Sequence, residues 1–203
     1  DRIDDAIDEM QTALTLNPGN AQALHAVGNA LARARRDEEA IAYYRKAIDA
    51  NPAFLEAHRD YNTLVWQMGK RDLNLKSYAM AREKIGDTPD LLLAEANQRL
   101  LLEEGEAAEK LLRNAHEKAP ERVDIANALA RALTMRKTYD EAIALFDGLV
   151  KREPQSIYNH RDMSIALLQS GEAREAARIL EEALKYAPYD QLLLAHLTLA
   201  YRE

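Results

Sequence analysis

There is no cysteine in the chain, so disulfides and thiolate metal sites are both excluded. That fits a reducing compartment, and a cytoplasmic location is expected. No apolar run reaches the length of about 18 residues that a membrane-spanning helix needs, and no membrane partner is expected. Positive charge is not in excess: the net charge is −7. Nucleic acid, which demands a basic face, is therefore not expected as a partner. Aromatic residues are few, with one tryptophan and two phenylalanines, and only seven glycines and six prolines occur in 203 residues. Such scarcity excludes a low-complexity tract or a long linker.

The scarce residues are not scattered. Pro18, Pro52, Pro120, Pro154 and Pro188 fall at one phase of a 34-residue frame, with Gly86 taking the remaining place. A fixed period of this size marks an array of stacked supersecondary units. The stretch Thr138–Pro154 shows the unit most clearly, and Ala142, Phe146 and Leu149 mark its helical spacing. Placing the prolines at position 32 starts full units at Ala21, Leu55, Pro89, Val123 and Ile157. Half a unit precedes them over residues 1–20, and the first helix of another follows over residues 191–203. The chain thus reads as a segment of a longer array. Pro89 falls at position 1, where Thr88 can cap and the missing proline N–H costs nothing.

Each unit reads as two helices, for example Ala21–Ala34 and Asp37–Ala50, giving about twelve helices and no strand. The break between them often carries glycine (Gly69, Gly105, Gly171), which suits a left-handed residue past a helix end. Thr138 and Glu141 have the spacing of a capping box. Breaks this short make neighbouring helices antiparallel. Position 8 is small in most units, as at Gly28, Ala96, Ala130 and Ser164, although Asn62 stands there once. Position 20 is mostly alanine (Ala6, Ala40, Ala108, Ala142, Ala176), and so is position 27 (Ala13, Ala47, Ala81, Ala115, Ala183). Small residues let helix axes approach closely. Position 24 is large throughout: Met10, Tyr44, Tyr78, Leu112, Phe146 and Leu180. One unit cannot bury both of its faces, so stacking must supply the core.

This combination of small positions 8, 20 and 27, a large position 24 and a proline at 32 resembles the tetratricopeptide repeat (TPR). The resemblance covers the whole chain. It implies an all-α, right-handed superhelix (an α-solenoid) whose first helices line a concave groove, and a non-catalytic protein-interaction scaffold that takes a peptide or protein segment. The usual aromatic at position 4 is replaced here, twice by histidine at His58 and His160. The unit from Leu55 departs most, with Asn74 at position 20 and Gly86 for proline. The unit from Pro89 carries Glu95 and Arg99 at positions that are normally apolar. Either the two pair with each other, four residues apart, or the helix rolls to bury Leu92, Ala96 and the run from Leu100 to Leu102.

Little in the chain points to chemistry. His58-Arg59-Asp60 and His160-Arg161-Asp162 both spell HxD, two ligands of an iron facial triad. On a helix, residues i and i+2 point roughly 200° apart, so neither pair closes on one ion, and both histidines are expected to pack with one ring nitrogen bonded. No HExxH, phosphate loop or GxSxG occurs, so no catalytic residue, metal or cofactor is expected. The family's groove positions 2, 5, 9, 12 and 13 carry over to Asn29, Arg59, Trp66, Asn97, Asn127, Arg131, Tyr158 and Arg161 as the candidate peptide-binding residues. Asn29, Asn97 and Asn127 are suited to hold an extended backbone. Arg59, Arg131 and Arg161 are suited to acidic side chains, and Trp66 to stacking. The acids Glu56, Asp90 and Asp124 are sufficiently explained by the helix macrodipole. The clamp by which TPR co-chaperones hold a carboxylate of heat-shock chaperones is not reproduced. Its places are held by His25, Asn29, Asp60, Asp90 and Ala94, of which only Asn29 fits.

The last helix, with Leu192, Leu193, Leu194, Leu197 and Leu199, is apolar nearly all round, as buried helices are. Either further chain covers it or it forms a homodimer through residues 191–203. Glu56–Gly69 and Ala187–Glu203 also resemble segments of bacterial TPR arrays that precede a 2-oxoglutarate/Fe(II) oxygenase domain. That resemblance implies a substrate-recruiting or oligomerising arm of an enzyme encoded beyond residue 203.

Overall fold

The computed structural model describes residues 2–203, without the side chains of residues 2–4, 6 and 13. The small positions Ala6 and Ala13 therefore lie outside the described side chains. Twelve helices and no strand occur among the described residues. The chain divides into two compact units, Asp1–Gln98 and Arg99–Glu203. The first contains α1 (Arg2–Leu16), α2 (Ala21–Arg33), α3 (Asp37–Ala50), α4 (Leu55–Gln67), α5 (Lys76–Ile85) and most of α6 (Pro89–Leu101). The second contains α7 (Gly105–Lys118), α8 (Val123–Met135), α9 (Tyr139–Arg152), α10 (Ile157–Ser170), α11 (Ala173–Leu184) and α12 (Gln191–Ala200). Among the described residues, no helix is long and apolar enough to cross a membrane.

The even-numbered helices α2 to α12 begin 34 residues apart, at Ala21, Leu55, Pro89, Val123, Ile157 and Gln191. Their ends repeat one chemical device. Arg35, Gly69, Glu103, Lys137 and Gly171 all have positive φ, between 60° and 90°. The residue after each donates back to a carbonyl five residues earlier: Arg36 to Leu31, Lys70 to Val65, Glu104 to Arg99, Thr138 to Leu133 and Glu172 to Leu167. This is the Schellman closure, which satisfies carbonyls at the helix end and turns the chain sharply. Gly69 and Gly171 fill the left-handed place as expected, but Gly105 does not. Glu103 takes that conformation, and Gly105 opens α7 instead, where a Cβ would sit 3.1 Å from the Met135 sulfur.

The helix starts follow local chemistry. Thr88 accepts from the Leu91 N–H at 3.3 Å, and Asn20 and Asp190 cap α2 and α12 in the same manner. The expected capping box at Thr138 and Glu141 does not form. Thr138 makes no side-chain cap bond, and the return bond from Glu141 is missing too: the Thr138 N–H donates to Leu133 O, and the Glu141 carboxylate is taken by both Nη atoms of Arg113 on α7, each at 2.8 Å. That pair joins neighbouring repeats instead of closing one turn.

In the first unit α2 packs on α3, α3 on α4 and α4 on α5; in the second, each helix from α7 to α12 packs on the next, and α10 also touches α8 and α12. The large residue at position 24 meets the small one at position 8: a Cβ on Gly28 would stand 2.6 Å from the Tyr44 ring. Leu24, Val27, Leu31, Ile41, Tyr44 and Val65 form the core of the first unit. Leu112, Ile125, Leu133, Phe146, Leu167 and Leu180 are buried in the second.

Helix α5 departs from the pattern. The other second helices begin at Asp37, Gly105, Tyr139 and Ala173, so Arg71 is the corresponding place, yet α5 begins at Lys76. Asn62, standing where other repeats carry a small residue, is buried and redirects the chain. Its Oδ1 accepts from the Leu75 N–H at 2.6 Å, while its Nδ2 donates to His58 O and Ser77 Oγ, both at 2.8 Å. Leu75 is thereby held at φ 63°, a costly conformation for a side-chain-bearing residue. In α6, Leu92, Ala96 and Leu100 are buried, whereas Leu101 is exposed. Glu95 is buried as well, with Arg82 Nη1 of α5 at 3.0 Å from its carboxylate.

Candidate functional site

On the first helices, the side chains left accessible are those a stacked array cannot bury. Glu56, Arg59, Thr63, Trp66 and Gln67 of α4 are all exposed, as are Asn97 of α6, Arg131 and Met135 of α8, and Tyr158 and Gln169 of α10. Exposure does not leave their polar groups idle. Asn29 accepts a hydrogen bond from Tyr44 Oη at 2.7 Å, so its carbonyl belongs to the packing of its own repeat. Asn127 donates from Nδ2 to Asn159 Oδ1 at 3.1 Å, and Asn159 donates onward to Glu153 at 3.3 Å. These bonds tie one polar atom of each amide, Asn29 Oδ1 and Asn127 Nδ2, to a neighbouring helix. Trp66 carries the Arg71 guanidinium 4.8 Å from its ring centre, which covers part of the surface expected to stack on a ligand.

The arginines divide in a similar way. Arg59 Nε donates to Asp60 Oδ1 at 3.0 Å, and this bond raises the Arg59 pKa further. Asp60 Oδ2 lies 2.8 Å from His25 Nε2, tying α4 to α2. Arg161 donates from Nε and Nη2 to Asp162 Oδ1 at 3.1 and 2.9 Å. Its guanidinium stands 5.4 Å from the Tyr158 ring centre. Arg131 is different: its Nε is 4.0 Å from Asp162 Oδ2, beyond hydrogen-bond distance, and its side chain is half exposed.

Asp60 and Asp162, members of the two HxD strings, are not among the candidate groove residues. The signal was the string His-Arg-Asp at the same place in two repeats. The structure separates its members. His58 and His160 point inward, bonded to Pro52 O at 3.0 Å and Ser156 O at 2.9 Å, while both aspartates join neighbouring first helices. The His58 ring stacks on Tyr78, centroids 5.0 Å apart, and burial lowers its pKa despite the opposing backbone bond. Burial also pushes the Tyr44 hydroxyl up to about 12, with the charges of Asp60 and Asp37 adding to it. No group of three or more histidine, aspartate or glutamate side chains suited to a metal ion occurs among the described residues.

Between α8 and α10 lies an open cleft of about 270 Å³. Arg131, Thr134 and Met135 line it from α8, and Asp162, Ile165 and Gln169 from α10. Phe146 of α9 completes the lining. Arg131 is a candidate named from the sequence, and Thr134, Met135, Ile165 and Gln169 stand at groove positions 12, 13, 9 and 13 of their units. Asp162 and Phe146 do not.

Comparison with known proteins gives one consistent result. Family models described as tetratricopeptide repeat match residues 1–53 and 100–160. Among curated proteins, the peroxisomal targeting signal receptor of Candida glabrata is 35% identical over 85 residues, which is 42% of this chain but 13% of that receptor. The chain therefore spans a small fraction of that relative's length. Among solved structures, YrrB, described as a TPR protein with an unusual peptide-binding site, aligns with a TM-score of 0.64 at 18% identity, covering 92% of this chain and 96% of YrrB. Yeast Tom70 aligns with a TM-score of 0.70 at 19% identity over 97% of this chain and 42% of that structure.

Proposed function

The chain belongs to the tetratricopeptide repeat family, and on that premise we propose that it is a non-catalytic scaffold that binds a linear segment of another protein along its first helices. The observation that carries this reading is the α8–α10 cleft. It sets exposed and half-buried side chains of two first helices over the buried Phe146 and Thr134, and it joins an apolar floor to a charged rim. Its volume of about 270 Å³ is below the usual range for small-molecule sites and suits one or two side chains of a peptide. Family relatives point the same way, since one similar structure is described by its peptide-binding site and another relative is a targeting-signal receptor. Arg131 replaces the trio of Arg59, Arg131 and Arg161 as the leading recognition residue, because the other two are engaged by Asp60 and Asp162.

The test is partner capture by the wild-type chain and by a double variant, Arg131→Glu with Met135→Asp, of unchanged helical content. Capture is expected to fall more than about tenfold, the size of effect that loss of a buried contact centre produces. Asp147→Lys, on α9, serves as the control and is expected to leave capture unaltered. Equal capture by the double variant and the wild type would overturn the assignment.

A second reading rests on α12. Leu192, Leu194 and Leu199 are 56%, 38% and 45% exposed, and Tyr189 and Tyr201 stand beside them at 89% and 66%. Such a patch marks a protein-contact surface, and we propose that a second copy of the chain can cover it through its own α12.

A further inference from the structure

We infer that the α8–α10 cleft selects an acidic residue standing next to a bulky apolar one in the bound segment. This inference rests on the peptide-binding reading above and specifies its ligand. The apolar part follows from the floor. Phe146 is fully buried beneath the cleft, and Met135 is 42% exposed above it. Ile165 is half-buried along the wall. The Thr134 hydroxyl is spent on Ala130 O at 2.8 Å, which leaves its methyl group as the part with no polar demand. A volume of about 270 Å³ exceeds the roughly 150 Å³ in which an apolar cavity holds a benzene ring. An aromatic or large aliphatic side chain therefore fits.

The acidic part follows from the balance of charge at the rim. Two guanidiniums, of Arg131 and Arg161, flank a single carboxylate, Asp162. Asp162 is shielded, with a side chain only 12% exposed, and one of its oxygens already takes two bonds from Arg161. Arg131 is 50% exposed and stands 4.0 Å from the other oxygen. The charge presented outward is therefore Arg131's. A lysine or arginine entering here would approach the Arg131 guanidinium well inside one screening length. A carboxylate would instead meet the planar donor fork of Arg131, which matches it bidentately. Asp124, the other acid on this face of α8, is occupied by Arg122 at 2.6 Å, and this partner holds the Asp124 carboxyl below its usual pKa.

A random dodecapeptide library displayed on phage, panned on the full chain, tests the inference. Enriched sequences are expected to place Asp or Glu directly beside Phe, Leu, Ile, Met or Trp. A synthetic peptide from that pool should lose about tenfold in affinity to Arg131→Glu and several-fold to Arg131→Gln. Ile165→Ser should weaken it by a similar factor without altering the preference for the acid. Circular dichroism and thermal melting verify that each variant is folded, and the milder Arg131→Gln keeps the test decisive where the reversal disturbs Asp162. Enrichment of basic residues beside the apolar one would overturn the inference. So would an acidic motif indifferent to Arg131. In either case the broader proposal stands, provided that binding is still lost in Ile165→Ser. A library that yields no binding sequence would overturn both.

Discussion

The contact between Gly28 and Tyr44 shows how one residue sets the spacing of two helices. Tyr44 cannot yield, because its hydroxyl is tied to Asn29 at 2.7 Å and its ring lies 5.5 Å from that of His25. A methyl group on Gly28 would fall 2.6 Å from ring atoms. Gly28→Ala is therefore expected to destabilise the chain by about 1–3 kcal/mol, although the same exchange in an open helix stabilises by about 1 kcal/mol. Denaturant titration reads the sign directly, and a stabilised variant would show that the ring moves. His58 makes a second prediction at this scale. Burial holds its folded-state pKa below the ordinary value of 6.5. The unfolded chain then binds the proton more readily, so its contribution is full above about pH 6.5 and declines as pH falls through that value. Thermal midpoints at about pH 7.5 and 5.5 should differ less in His58→Phe than in the wild type; equal differences would remove His58 as the cause.

Among the elements, the five Schellman closures use two glycines and three residues that pay for a side chain. Lys137 sits at φ 62°, where a Cβ costs about 1–2 kcal/mol, part of which a glycine returns to the unfolded chain as entropy. Lys137→Gly should stabilise the chain by roughly 0.5–1 kcal/mol, visible as a rise in the denaturation midpoint, whereas a fall would mean that the lysine makes a contact worth more than the strain. Helix α5 shows the opposite adjustment. Asn62 spends two hydrogen bonds on holding Leu75 and Ser77 and a third on His58 O, and the helix starts five residues late relative to its counterparts. The departure at Asn62 and Asn74 was visible in the sequence as a weak repeat. Its form was not, because the partners of Asn62 lie 13 and 15 residues away. Thr138 and Glu141 illustrate the same limit: their local spacing allows a capping box, but Arg113, 28 residues earlier, wins the carboxylate. Two fork bonds to a guanidinium outweigh one bond to a backbone N–H.

For the whole molecule, the surface carries a net charge of −7, while its most apolar exposed element is α12, with Leu192 at 56% and Leu199 at 45% exposure. Self-association through that helix predicts a concentration-dependent sedimentation coefficient. Leu192→Lys with Leu199→Lys should abolish the dependence, and a wild-type chain that is monomeric at every concentration would dismiss this contact. The helix pairs and their 34-residue step, and the small and large positions, were legible in the sequence because each rests on local periodicity and side-chain volume, repeated until chance is excluded. Five of the seven positions lining the α8–α10 cleft follow from the resemblance to the repeat family, whereas Asp162 and the buried Phe146 do not. What only the tertiary structure decided is which of those groups are bonded to neighbouring side chains. Asn29 is held by Tyr44, Asn127 by Asn159 and Arg161 by Asp162, whereas Arg131 keeps its guanidinium outward. Hydrogen-bond partners are chosen by distances of about 3 Å across neighbouring helices, and a repeat pattern, which records only the kind of residue at each place, does not contain them.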